Sequence, residues 1–222
     1  NTMGILAKKI SIVHNGTDDY AKEFKRTYDI ADKSSAIQCV FVANLYKSKG
    51  LDFILDALRI VSKKGYNVSL KIVGYTTPFI TSKIKDKYSD LNIPVLGVQS
   101  FDKLANLYRQ SFLGFIASLQ EQWSFVGVEM AMFGLPIVTT AVDGLDEIFT
   151  DNENALKVST TFNNKVGLSI DVKMMADKIM LLIEMPKLRA YIGKNARLLY
   201  EDKLELGNMI KQTISVYNKL IK

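Results

Sequence analysis

Two kinds of apolar pattern alternate along the chain. Short strand-like segments rich in apolar residues occur at 36–42, 68–73, 93–96, 113–117 and 137–140, and 36–42 is a nearly continuous apolar run. Runs of that length without alternation suit strands buried on both faces. Between them, apolar residues recur at three and four: Leu51, Ile54, Leu55, Leu58 and Val61 predict a helix that stops at Lys63-Lys64-Gly65. A weaker helix is predicted at 78–88, and another at 101–110 with Leu104, Leu107 and Tyr108 as its apolar face. Ahead of these lie a short strand at 9–13, a turn signal at 14–19, and a mixed polar loop with a helical turn or two at 20–35. Residues 143–147 predict a short turn or helix and 155–158 a last strand. Beyond that point the strand pattern stops. Helices are predicted at 172–183, from Pro186 onward, and at 204–221. Strands alternating with helices over short connections predict an α/β fold: a Rossmann-like parallel sheet flanked by helices, with extra C-terminal helices.

Composition narrows the function. The chain has 222 residues, 48% hydrophobic and 23% charged, enough for one well-packed core. Its net charge is +6, but the Lys and Arg residues are scattered through amphipathic segments. Residues 111–156 contain none of them, yet hold Glu121, Glu129, Asp143, Asp146, Glu147, Asp151 and Glu153. A nucleic-acid groove there is excluded, because such a groove needs clustered cations. One cysteine, Cys39, allows no internal disulfide and fits a reducing compartment. With a single histidine, His14, it cannot make a zinc site of the usual spacing. No apolar run is long enough to cross a bilayer. The chain starts on Asn1 instead of Met, which predicts that it belongs to a longer protein.

The richest stretch is 119–140, LQEQWSFVGVEMAMFGLPIVTT. It reads as loop, short helix, stop and strand. Ser124 is an N-cap, Gly134 closes the helix, and Pro136 prevents continuation. A helix that starts beyond a parallel strand aims N–H groups and partial positive charge at the cleft, where phosphate suits. Lys49, at another predicted helix start, falls on the same rim, as do Asn44, Lys47, Gly74 and Gly97. Glu121 and Glu129 can accept hydrogen bonds from hydroxyls there. Spacing alone favours reading Glu121 as a solvated loop residue and Glu129 as an exposed helix residue. The glycine-rich dinucleotide fingerprint is missing.

Taken in order, VHNGTD, VANLYKSKGLDFILDAL, KIVG, VLG, the block 117–138 and DGLDEIFTDNENALKV resemble the carboxyl-terminal, donor-binding half of retaining nucleotide-sugar glycosyltransferases of family four (group 1). These have the two-domain GT-B fold. The resemblance implies that 1–222 is a single donor-binding domain and that an acceptor-binding domain precedes it in the full protein. By the same resemblance Glu129 binds the ribose and Glu121 lies by the donor sugar. The backbone amides of Ser124, Phe125 and Val126 hold the phosphates, Lys49 neutralises the diphosphate, and Val98 runs beside the base. Gly74 belongs to the same donor rim. Lys49 and Glu121 are then the residues at the reacting centre.

The activity so implied is sugar transfer to an acceptor hydroxyl with retention of configuration, in polysaccharide or glycolipid synthesis. It needs no cofactor or metal, and no aspartate-x-aspartate cluster is present. The donor is a nucleotide sugar. A saccharide or lipid-linked acceptor is bound through the other half, and the full protein is expected in the cytoplasm, peripheral at the inner membrane face. Most members carry Gly-Arg where this chain has Ala43-Asn44, so one diphosphate cation is missing and Lys47 is the candidate to replace it. Small residues usually follow the first glutamate. Here Gln122-Trp123-Ser124 follow, and Trp123 either walls the sugar pocket or packs. His14 is read as a loop residue. The alternatives are a nucleotide-sugar binding module with weak or lost catalysis, and an epimerase of the same fold. This chain by itself is expected to bind nucleotide weakly and to transfer no sugar.

Overall fold

In the computed structural model, residues 10–28, 36–45, 47–164 and 167–221 are described. Lys9, residues 29–35 of the predicted loop, and Tyr46 lie outside them. The apolar runs form five parallel strands: β1 (Ile37–Val42), β2 (Val68–Val73), β3 (Leu113–Ile116), β4 (Ile137–Thr140) and β5 (Leu156–Val158). Their order is β2-β1-β3-β4-β5. Helix α1 (Leu51–Lys63) joins β1 to β2, and α2 (Pro78–Lys87) and α3 (Phe101–Gln110) lie between β2 and β3. Helix α4 (Phe125–Met132) joins β3 to β4, and α5 (Asp143–Ile148) joins β4 to β5.

The continuous apolar runs have their physical reason in two cores. Cys39 and Phe41 point to the face covered by α1 and by α6 (Val172–Glu184), while Val40 points to the face covered by α3, α4 and α7 (Pro186–Leu199). A strand that must fill both cores has no polar face to alternate with. Each such buried aliphatic side chain is worth about 1.5–3 kcal/mol.

Several expectations are corrected. Residues 10–13 form no strand: Ile10 and Ile12 are exposed, and among the described residues no partner strand lies beside them. The chain there is held further on, where the Thr17 N–H donates to Leu204 O at 3.1 Å and the Leu206 N–H to Thr17 O at 2.9 Å. Residues 93–96 run parallel beside β2 but make only isolated bridges, Ser69 with Asn92 and Ile72 with Val95. Pro94 lacks the N–H that a full ladder needs. The strand pattern also does not end at 158. A two-stranded antiparallel ribbon, β6 (Thr160–Asn163) and β7 (Gly167–Ile170), follows. It lies outside the main sheet and Phe162 is exposed, so no apolar run announces it. The last predicted helix begins later, as α8 (Leu206–Leu220), after one π-helical turn at Tyr200–Leu204. No helix among the described residues is long and apolar enough to cross a membrane.

Candidate functional site

Topology sets the cleft. Helix α1 winds from β1 to β2 on one side, whereas β3 lies on the other side of β1, so the winding reverses between β1 and β3. In doubly wound sheets ligands bind at that reversal, beyond the carboxyl ends of the strands. A cavity of about 230 Å³ lies between these strand ends. Asn44, Lys49, Ser118, Glu121, Ser124 and Val126 line it, together with the last residues of β1 and β3.

Lys49 closes a single 3-10 turn, Lys47–Lys49, ahead of α1. Gly50 then caps α1 with φ +69, a left-handed conformation that favours glycine. A Cβ at Gly50 would stand 2.0 Å from Ala117 O, so only glycine lets the start of α1 reach the end of β3. That approach brings Lys49 Nζ within 2.6 Å of Glu121 Oε2. Ser118 Oγ donates to the same oxygen at 3.0 Å. The loop bearing Glu121 is fixed by backbone as well: the Leu119 N–H donates to Ser48 O and the Gly144 N–H to Glu121 O, both at 2.8 Å. Thr140 Oγ1 donates to Ser118 O at 2.6 Å.

Helix α4 is built as its punctuation predicts. Ser124 Oγ accepts from the Gly127 N–H at 3.1 Å, and the first intrahelical bond runs from the Val128 N–H to Ser124 O at 3.0 Å. The N–H groups of Phe125 and Val126 therefore have no acceptor within the helix. At the far end Gly134, φ +59, closes a Schellman motif through Gly134 N–H to Ala131 O and Leu135 N–H to Met130 O. The cavity thus combines a lysine, a helix N-terminus and a carboxylate, a set able to hold an anionic group and an adjoining hydroxyl.

The remaining predicted residues, Glu129, Lys47, Phe125, Val98 and Gly74, lie around this centre without lining it. Glu129 is half-buried one turn into α4, where Tyr108 OH donates to its Oε2 at 2.7 Å. Burial pushes the Glu129 carboxyl above its usual range, and the Tyr108 hydrogen bond opposes that rise. Lys47 is exposed, and so are Val98 and the Phe125 side chain. Gly74 joins two loops: its N–H donates to Gly97 O at 3.0 Å, and a Cβ there would meet Ala43 O at 1.9 Å. The amide oxygen of Asn44 faces the Tyr75 N–H at 3.4 Å.

Three contributors escaped the sequence. Tyr108 reads in the sequence as part of an apolar face and Gly144 as part of a turn, and the only local signal for Ser118 is that it directly follows a buried run. His14 and Trp123 are also more engaged than their sequence suggests. Their rings stack 5.3 Å apart at 18°, and His14 Nε2 lies 2.9 Å from Glu147 Oε1. Trp123 is not among the cavity-lining residues and packs against the core on the α4 side. It packs there instead of walling the cavity. Among the described residues no three His, Cys, Asp or Glu side chains are grouped to hold a metal ion.

Comparison with known proteins fits this geometry. The chain is 24% identical to an uncharacterised glycosyltransferase of Methanocaldococcus jannaschii, over 94% of this chain and 54% of that protein. It is 25% identical to the capsular polysaccharide biosynthesis glycosyltransferase CapM of Staphylococcus aureus, over 82% of this chain and 46% of that protein. It therefore spans about half the length of the curated relatives it matches. Among solved structures, a glycosyltransferase of Rickettsia africae superposes with a TM-score of 0.80 at 20% identity, covering 98% of this chain and 59% of that one. Anabaena HepE, solved in complex with UDP and glucose, superposes with a TM-score of 0.75 at 16% identity, covering 98% and 59%. These likenesses establish the fold as one half of the GT-B architecture. The family model for glycosyl transferases group 1 matches residues 23–199, most of the sequence, and the chain belongs to that family.

Proposed function

We propose that the cavity between β1 and β3 holds the diphosphate and sugar of a nucleotide-sugar donor. We further propose that the full protein transfers that sugar to an acceptor hydroxyl with retention of configuration, in polysaccharide or glycolipid synthesis. One observation carries the reading: Lys49, Glu121 and the N-terminus of α4 converge on one cavity at the reversal of the sheet. The family membership and the UDP and glucose bound by Anabaena HepE support it.

The chemistry follows from the charges. Cleaving the sugar–phosphate bond leaves negative charge on the diphosphate. Lys49 has three N–H donors and gives one to Glu121, so two remain for phosphate oxygens. The first-turn amides of α4 add fixed partial charge to the same place. Donors set in position before reaction are most effective where charge develops in the transition state. Glu121, held by Lys49 and Ser118, offers its remaining lone pairs to a sugar hydroxyl. Glu129 takes the ribose, and the loops at Gly74 and Val98 flank the base. The leaving group is neutralised by Lys49 and α4, and the nucleotide sugar is a substrate, so the reading invokes no cofactor or metal. A saccharide or lipid-linked acceptor binds on another half of the protein, which fits a chain spanning about half its relatives.

Calorimetric titration with UDP, GDP, ADP and their sugars tests this. One nucleotide series is expected to bind this chain weakly, with transfer appearing only in a protein that carries both halves. A two-half protein that binds none of them overturns the reading. A second reading, a donor-binding module with weak turnover, is favoured by uncharged Asn44 lining the cavity where a cation would help. A two-half protein that binds donor yet transfers to no acceptor would select it.

A further inference from the structure

We propose that Tyr108 is the positioning residue for Glu129: its hydroxyl fixes one carboxylate oxygen so that the rest of the carboxylate is presented to a vicinal diol. This rests on the reading that Glu129 receives the ribose of the nucleotide. Tyr108 is fully buried in the last turn of α3, and its hydroxyl donates to Glu129 Oε2 at 2.7 Å. The tyrosine is itself immobilised. Its ring packs on Phe133 at 5.6 Å, and its carbonyl receives the Arg26 guanidinium, which also donates to Phe133 O at 2.9 Å and Ser111 O at 2.8 Å.

Glu129 needs such a partner. A glutamate side chain has three rotatable bonds, and here it leaves α4 between the buried residues Val128 and Met130. Among the described residues Oε1 takes no hydrogen bond. Each carboxylate oxygen offers two lone-pair sites, so Oε2 keeps one and Oε1 both. Two adjacent acceptors held at a fixed spacing match the two hydroxyls of a cis-diol. The hydroxyl also opposes the rise that burial imposes on the half-buried carboxyl. Arg26 is spent on carbonyls and the Arg109 guanidinium lies 5.1 Å from the Phe133 ring centre; among the described residues neither hydrogen-bonds Glu129.

Tyr108→Phe removes one oxygen and leaves the ring in place. With whichever of UDP, GDP or ADP binds best, the variant is expected to bind about tenfold more weakly, one ordinary hydrogen bond to a charged group. The 2′,3′-dideoxy form of that nucleotide should bind wild type and variant alike. The Glu129 titration, followed by carbon NMR of the labelled side chain, should move to higher pH in the variant. Adding Tyr108→Phe to Glu129→Ala should change nothing further. An unmoved Glu129 titration overturns the proposal whatever the nucleotide does, and so does an equal loss for ribose and dideoxy forms, which marks a purely structural tyrosine. If Glu129→Ala still discriminates ribose from dideoxy nucleotide, the ribose reading itself has failed. If Glu129→Ala abolishes that discrimination and Tyr108→Phe leaves it intact, only the role of Tyr108 has failed.

Discussion

Lys49 and Glu121 are 72 positions apart in the chain and 2.6 Å apart in the fold. Their pairing makes the residue-scale prediction specific. Lys49→Ala should weaken binding of a nucleoside diphosphate by about ten- to a hundredfold, the range of a charge-assisted hydrogen bond. It should leave binding of the bare nucleoside unchanged, and the salt dependence of diphosphate binding should fall. Titrations at two ionic strengths check all three, and an equal loss for nucleoside and nucleotide would sink the assignment. Glu121 stays anchored by Ser118 in that variant, so the loop geometry survives the substitution. The residue types at both positions were legible in the sequence as a cation and a carboxylate on one rim. That they meet was not, because no periodicity links positions so far apart.

Two predictions belong to elements. The cap at Ser124 both starts α4 and orients its first amides, so Ser124→Ala should lower stability by about 1 kcal/mol and weaken nucleotide binding with it. Chemical denaturation alongside titration separates the two effects; stability lost without any change in binding would detach the helix start from the site. The loop before α4 is braced from behind by the stack of Trp123 on His14, itself bonded to Glu147 of α5. Trp123 is the only tryptophan in the chain, so its fluorescence reports on this loop alone. His14→Ala should shift that emission to longer wavelength and weaken nucleotide binding severalfold. An emission spectrum identical to that of the parent chain would show that the stack does not hold the loop. The bounds of α3 and β2 could be read from sequence to the residue, because periodicity and caps are local. The β6–β7 ribbon could not, because Phe162 lies on the surface and only Ile170 of β7 is buried, so neither strand carries an apolar run.

For the whole molecule, the segment 10–28 acts as a strap across the helices behind β4. Asp19 pairs with Arg197 of α7 at 2.5 Å, and Tyr200 OH donates to Thr17 O at 2.8 Å. Burial pushes the Asp19 carboxyl up, but the hydrogen bonds from Arg197 and from the Ala21 N–H, with the charges of Arg197 and Lys22, together outweigh it, and its pKa ends below the ordinary value of 3.8. A depressed folded value means that the pair stabilises the fold above the unfolded pKa. That contribution is lost as pH falls through the lower folded value. Asp19→Asn should therefore lower stability at neutral pH by about 1–3 kcal/mol and flatten the acid side of the stability curve. Thermal melts from neutral to acid pH measure this, and parallel curves for the two proteins would count against the strap.

The sequence by itself determined the five strands of the main sheet, the helices around it, their order and the parallel α/β class, since apolar runs and caps act over a few residues. It also placed Ser124, Lys49 and Glu121 at the carboxyl rim of the sheet, because that rim follows from strand direction alone. The tertiary structure decided which of them share a cavity, for that depends on Gly50 allowing α1 to close on Ala117. It also set Tyr108 on Glu129 and turned Trp123 away from the cavity onto His14. Each of these depends on contacts between segments distant in sequence, and neither hydrophobic period nor residue type encodes such distances.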